Sequence, residues 1–190
     1  RGWPYTSNGR GSLVSPSWKG MGTGGSTGRP KVIITPSPAV VEWHGIESGP
    51  LGVRSRETSV ITAPLSHNGP LIASVHTLLH GGRVVLTGRF DPERVLATVE
   101  AEKATWLYVV PTMMSRIWKL PAEARDRYDL SSLRTVVHMG APCPAWLKIA
   151  WIEWLGAHTI MEIYTSTEGV TVFAVEGTEW LERQGTVGRP

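Results

Sequence analysis

The sequence predicts an α/β fold, a mostly parallel sheet flanked by helices, and three observations carry that expectation. From Ser59 onward, short β-rich runs alternate with longer segments able to bury one helical face: SVITAP (59–64), RVVLT (83–87), TWLYVV (105–110), RTVVHM (134–139) and HTIMEI (158–163). Glycine or proline marks the changeovers, at Gly81-Gly82, Pro92, Pro111, Pro144 and Gly156. Strand–helix–strand repetition of this kind calls for parallel strands joined by right-handed crossovers.

Four helices fit between the runs. The first covers 69–80 and stops at Gly81-Gly82, a common helix end. Asp91 is an N-cap for the second, with Pro92 at the first helical position and Val95 and Val99 on one face. A third begins near Pro111. The fourth follows Pro144 and ends at Leu155 before Gly156; it carries Trp146, Leu147, Ile149, Trp151, Ile152, Trp154 and Leu155 against only Lys148 and Glu153, so it must be covered on more than one side. Upstream, 1–30 reads as an irregular approach to a glycine loop, KVIIT (31–35) as a strand, and 36–56 as an ambiguous stretch with a short helix at 39–44. The organisation expected is thus 1–58 as approach, loop and strand, 59–169 as the βα unit, and 170–190 as a terminal strand and loop.

Composition narrows the function. Lys plus Arg (19) exceed Asp plus Glu (16) by three, and the basic residues are scattered, which argues against nucleic acid as a partner. The single cysteine, Cys143, excludes an internal disulfide and a cysteine-based zinc cluster, fits a reducing, cytoplasmic setting, and reads as a small buried side chain between two prolines. No apolar run reaches the roughly 18 residues of a membrane span.

Ligands of open α/β sheets bind outside the carboxyl ends of the strands. The turns there are PLSHNG (64–69), VVPTMM (109–114), MGAPCP (139–144) and YTSTEG (164–169). The strand at 31–35 is preceded by MGTGGSTGRPK, in which five of the nine residues 20–28 are glycine. Glycines that reach positive φ can turn successive N–H groups into an oxyanion-binding nest, and Thr23, Ser26, Thr27 and Lys31 add hydroxyls and charge. A Walker loop needs Gly-Lys-Ser/Thr opening a helix, whereas Arg29 and Pro30 intervene here and a strand follows. Composition alone also fits a plain Gly/Ser linker.

The stretch TGGSTGRPK, Thr23 to Lys31, resembles the phosphate-loop signature of the adenylate-forming superfamily, which contains acyl- and aryl-CoA ligases, luciferases and amino-acid adenylation domains; it matches at every position. PLSHNG resembles the Pro-Leu-x-His-x-x-Gly segment at that family's acyl pocket, MGAPCP its Gly-Ala-Pro adenine turn, YTSTEG its Tyr-Gly-x-Thr-Glu motif, and GTVGRP (185–190) its Gly-x-Val-Gly-x-Pro element. Within the superfamily, SPSWKGMGTGGSTGRPK and APCPAWLKIAWIEWLG are most similar to CoA ligases of the bile-acid and related carboxylic-acid type.

The resemblance implies attack of a carboxylate on ATP, giving an acyl-adenylate, then transfer to a thiol, with ATP, Mg²⁺ and coenzyme A as cofactors and a small carboxylic acid as substrate. It assigns Thr23, Gly24, Gly25, Ser26, Thr27, Gly28 and Lys31 to the phosphates. Gly140, Ala141, Pro142, Tyr164, Thr165 and Thr167 fall to the nucleotide, and Glu168 with Thr167 to the metal. His67, Val110, Met113 and Met139 fall to the acyl pocket, with Lys31, His67 and Glu168 as the catalytic set. Without the surrounding motif Glu168 would read as a surface carboxylate in a turn, His67 as structural, and the valine and methionines as core. Thr165 departs from the family's glycine; a β-branched residue does not readily take positive φ, so the backbone there is either ordinary or the turn is altered, which bears on adenine stacking by Tyr164.

The resemblance further implies one partial N-terminal domain without the small C-terminal domain, poor turnover by the isolated chain, and apolar surface that would drive homo-oligomer formation. Two other readings stay open: delivery to a carrier-protein thiol, disfavoured because SHN (66–68) stands where amino-acid adenylation domains have Asp, and a non-catalytic nucleotide-binding module.

Overall fold

Runs of β-branched and aromatic residues form a six-stranded sheet in the computed structural model, which describes residues 6–7, 13–22, 31–39, 51–168 and 171–190. Two short antiparallel pairs precede it among the described residues. β1 (Thr6–Ser7) pairs β2 (Leu13–Val14), and β3 (Gly20–Gly22) pairs β4 (Val32–Ile34), with Gly22 opposite Val32. The phosphate-loop stretch 23–30 therefore connects the two strands of a hairpin; it lies outside the described residues, as does most of the helix expected at 39–44.

The main sheet holds β5 (Thr58–Ile61), β6 (Arg83–Leu86), β7 (Trp106–Val109), β8 (Thr135–His138), β9 (Ile160–Thr165) and β10 (Val172–Glu176). Its order is β6-β5-β7-β8-β9-β10, parallel throughout except for β10, which runs antiparallel to β9. All four residues of β7 and of β8 are buried, as both-face coverage of a parallel strand requires.

The crossovers are α1 (Asn68–Leu79), α2 (Pro92–Ala101), α3 (Pro111–Trp118) with the single turn α4 (Ala122–Arg125), and α5 (Ala145–Leu155). Asp91 caps α2 as its sequence requires, accepting from the Arg94 N–H at 2.8 Å, with Pro92 opening the helix. From β5 the chain steps outward to β6, then returns past β5 to β7 and continues to β9. That reversal is a switch point between β5 and β7, where the connections diverge and open a crevice.

Side chains alternate across the sheet accordingly. Val60, Leu107, Val109, Val136 and Ile160 pack with α2, α3 and α5, whereas Ile61, Trp106, Tyr108, Val137 and Ile163 pack with Ala73 of α1 and with Leu51 and Val53. The Trp106 indole donates to the Leu51 carbonyl at 2.9 Å and ties that segment down. Covering α5 on several sides buries Leu147, Ala150, Trp151 and Ile152, with Trp154 edge-on to Trp151 and Trp118 at 5.3 and 6.0 Å between ring centroids. The two charges of α5 part company, since Glu153 is exposed and Lys148 is buried.

The stretch 170–190 differs from a terminal strand and loop. After β10 it forms α6 (Gly177–Glu182), anchored by buried Trp180, and Gly177 passes so close to the Ala157 carbonyl that a Cβ would lie 2.5 Å from it. Among the described residues no helix is long and apolar enough to cross a membrane.

Candidate functional site

Two cavities of about 450 and 430 Å³ open at the carboxyl ends of the strands and share Gly140 and Thr165 in their walls. The first is built from the turn after β8, the end of β9 and the C-terminal loop. Gly140, Ala141, Pro142, Cys143, Glu162, Tyr164, Thr186 and Val187 line it. Gly140 has φ 87°, a left-handed conformation that glycine adopts without steric cost and that turns the chain away from β8. Tyr164 is 59 % exposed and tilted against Phe173, so much of its ring remains open to a ligand. Thr165 is the last residue of β9, with no positive φ; it pairs with Val172 and its hydroxyl donates to the Thr171 carbonyl at 3.0 Å. The backbone at this departure from the family motif is thus ordinary extended chain.

Behind this cavity lies a charged group that the sequence reading left unused. Lys148, 1 % exposed, forms an ion pair with Glu162, and its ammonium sits 4.5 Å from the centre of the Trp180 ring. Glu162 itself lines the cavity. Beside Lys148 is His138, completely buried, with neither ring nitrogen hydrogen-bonded among the described residues. Burial, reinforced by the lysine charge, pushes its pKa down to about 3, so it is neutral. Cys143 is half-buried rather than enclosed, and burial raises its thiol to about 11, which keeps it protonated.

The second cavity occupies the switch point. His67, Asn68, Gly69, Tyr108, Val110, Met113, Met139 and Thr167 line it, so every residue expected at an acyl pocket is present. His67 is exposed at the N-terminus of α1. Gly69 has a steric reason to be glycine: a Cβ there would lie 2.7 Å from the Met139 sulfur and 2.8 Å from the Tyr108 hydroxyl. Tyr108 is raised to about 12 by burial and stays a neutral donor. Thr62 braces the wall, donating to the Tyr108 carbonyl at 2.5 Å and touching the Met113 sulfur at 3.2 Å.

Glu168 lies on the turn leaving β9, fully exposed. Its own backbone N–H, the Ser166 hydroxyl and then the Lys31 charge hold its carboxyl below the usual range. The turn and the hairpin that carries the glycine loop are therefore neighbours. Of the expected site residues, Lys31, Thr167 and Glu168 gather at this rim, whereas Thr23, Gly24, Gly25, Ser26, Thr27 and Gly28 lie outside the described residues.

Glu162, Lys148, Thr186 and Val187 were missed by sequence reasoning, along with Asn68 and Tyr108. A weak signal existed for Glu162, a carboxylate inside an otherwise apolar strand two residues before Tyr164.

A parallel sheet with a crevice at its switch point carries two adjoining cavities, one lined by a turn of small residues and a carboxylate and the other largely by apolar side chains. The chain belongs to the AMP-binding enzyme family, whose model matches residues 21–190. It is 36 % identical over 174 residues to a feruloyl-CoA synthase from Amycolatopsis sp, covering 90 % of this chain and 34 % of that protein. It is also 31 % identical to a 2-succinylbenzoate–CoA ligase from Bacillus licheniformis, with the same two coverages of 90 and 34 %. An amide bond synthetase from Marinactinospora thermotolerans superposes with a TM-score of 0.63 at 34 % identity, over 74 % of this chain and 28 % of that one. For the fold alone, o-succinylbenzoate CoA synthetase from Bacillus subtilis matches with a TM-score of 0.73 at 21 % identity, over 94 and 36 % of the two chains. The chain spans about a third of the length of the curated relatives it matches.

Proposed function

We propose that the full-length protein activates a carboxylic acid with ATP and passes the acyl group to the thiol of coenzyme A. The observation that carries this reading is the junction at Gly140 and Thr165, where a cavity suited to a purine meets a largely apolar cavity below an ionised Glu168. In the first cavity the turn 140–142 lies flat against the base, Tyr164 covers it, and Glu162 accepts from its amino group. In the second, Val110, Met113 and Met139 hold the body of the acid and His67 flanks its carboxylate.

A carboxylate oxygen then attacks the α-phosphorus, the bond to the bridging oxygen of pyrophosphate breaks, and the acyl-adenylate forms at the junction. Such displacements depend mainly on alignment and charge neutralisation. The loop 23–28 and Lys31 supply donors and charge for the triphosphate. Mg²⁺ fits the rim, because it binds through one or two carboxylates plus substrate phosphates, and Glu168 with Thr167 offers that minimal set. Bound there, it would neutralise charge on the phosphates. Thiolysis follows when the CoA sulfur attacks the acyl carbon and AMP leaves. The need for ATP, CoA and a reduced thiol puts this reaction in the cytoplasm. Residues 1–190 act in this reading as part of a larger adenylating domain.

Carboxylate-dependent exchange between ATP and pyrophosphate, run on the full-length protein with fatty, aromatic and steroid acids, tests the first half-reaction. At least one acid should support exchange, and CoA should discharge the adenylate faster than a carrier-protein thiol. Exchange with no acid while nucleotide still binds would leave a nucleotide-binding module. Glu168→Ala should lower exchange about 100-fold; a rate within a factor of two of the parent removes Glu168 from the site.

A further inference from the structure

A third cavity of about 190 Å³ adjoins the second, sharing Asn68, Gly69, Met139, Thr165 and Ser166 with it. Most of its remaining wall is apolar, from Leu51, Ile72, Ile163 and Val172, yet Lys19 lines it as well. Lys19 is fixed at the root of the β3–β4 hairpin, where its carbonyl accepts from the Thr35 N–H at 3.1 Å. Its ammonium donates to the side-chain amide oxygen Oδ1 of Asn68 and stands 4.9 Å from the centre of the Trp18 ring. Both of these partners are neutral.

Among the described residues neither cavity has an Asp or Glu in its lining. His76, the other basic group of the third cavity, is held toward its neutral form by burial and by the neighbouring His80. An ammonium among apolar walls without a counter-charge is unfavourable, and burial depresses the Lys19 pKa accordingly. A ligand anion would supply the missing charge through a charge-assisted hydrogen bond. His67 lines the second cavity and Lys19 the third, and the two cavities adjoin along the five residues they share.

We infer that Lys19 anchors a second carboxylate, at the far end of the acid from the reacting one, and that dicarboxylic acids with an apolar body are the preferred substrate class. The inference rests on the second and third cavities being the acyl site of the adenylation proposed above. The reacting carboxylate lies by His67 and Thr167, the body passes Met139 and Gly69, and the distal carboxylate replaces or shares Asn68 as partner of the ammonium.

Calorimetric titration of the full-length protein, with a non-hydrolysable ATP analogue present, compares an aromatic monoacid with the same acid bearing a distal carboxylate. The diacid should bind about tenfold tighter, the scale of one charge-assisted hydrogen bond. Lys19→Met should bring the ratio of the two affinities to near one, and Lys19→Arg should keep most of it. Equal binding of both acids by the parent, an unchanged ratio in Lys19→Met, or equal loss for both acids in that variant overturns the anchor. Pyrophosphate exchange with the same pair separates the two ideas. Lys19-dependent binding without exchange leaves the anchor standing and defeats adenylation, whereas exchange with the monoacid alone does the reverse.

Discussion

The two cavities that meet at Gly140 and Thr165 are nearly equal in volume and built on opposite plans. The first is walled by a turn of small residues, by Tyr164 and Trp180 and by Glu162, which the buried Lys148 holds from behind, the second by the side chains of Val110, Met113, Met139 and Tyr108. A pocket made of backbone and a fixed charge pair accepts one shape and changes little under substitution of its neighbours. A pocket made of apolar side chains changes volume with each of them. Under the proposed adenylation, a common nucleotide and a variable acid call for this division, and substrate choice would then lie in the second cavity.

Removing the charge from the first cavity should have the largest effect. Lys148→Met leaves Glu162 without its partner and should destabilise the fold by about 3 kcal/mol or more in denaturant unfolding. Adding Glu162→Gln should recover a large share of that loss; equal instability of the double variant would mean that packing of the lysine stem, not the ion pair, is what matters.

His138 gives a comparable but conditional effect. Its charged neighbours from other elements are Lys148 and, opposite it in the register with β9, Glu162. Its pKa is lowered on folding, so its contribution is intact above the unfolded value of 6.5 and is lost progressively as pH falls from there toward about 3. By pH 4 the loss should be roughly 3 kcal/mol. His138→Leu should flatten the dependence of Tm on pH across that window, and an unaltered slope would assign the acid sensitivity to other groups.

The smallest effect is on the second cavity. Gly69→Ala forces a methyl against Tyr108 and Met139 and should cost about 1–3 kcal/mol. Its more telling readout is affinity for the acid, which should fall while nucleotide affinity is retained. A fall in both would mean that the two cavities are not independent.

The parallel core was legible because its signals are local. Asp91-Pro92, the Gly81-Gly82 stop and the β-branched runs act within a few residues, and the structure has the helices and strands there. A terminal strand was expected in 170–190, but its antiparallel sense as β10 and the helix α6 were not, since they depend on pairing with β9 and on Trp180 reaching a core formed elsewhere. At the site, motifs after the strands pointed to Gly140, Ala141, Pro142, Tyr164, His67 and Met139 because each sits in a strand-end turn. Lys148 showed nothing, as a lysine on a helix ordinarily faces water and only the approach of α5 to β9 makes it a buried cation. Lys19 was hidden likewise, being 49 residues from Asn68 in sequence.

The C-terminal loop has a bearing on how the molecule is made. Gly188 crosses so near the Ala174 carbonyl that no side chain would fit, and Arg189 bridges back to Ala174, which brings Thr186 and Val187 into the first cavity. Every described lining residue of the second cavity lies at or before Thr167. Since chains emerge from the ribosome N-terminus first, and Val172 is the last described residue lining the third cavity, the space proposed for the acid can close about fifteen residues before the one proposed for the base, and a nascent chain stalled between the two would have the first complete and the second still open.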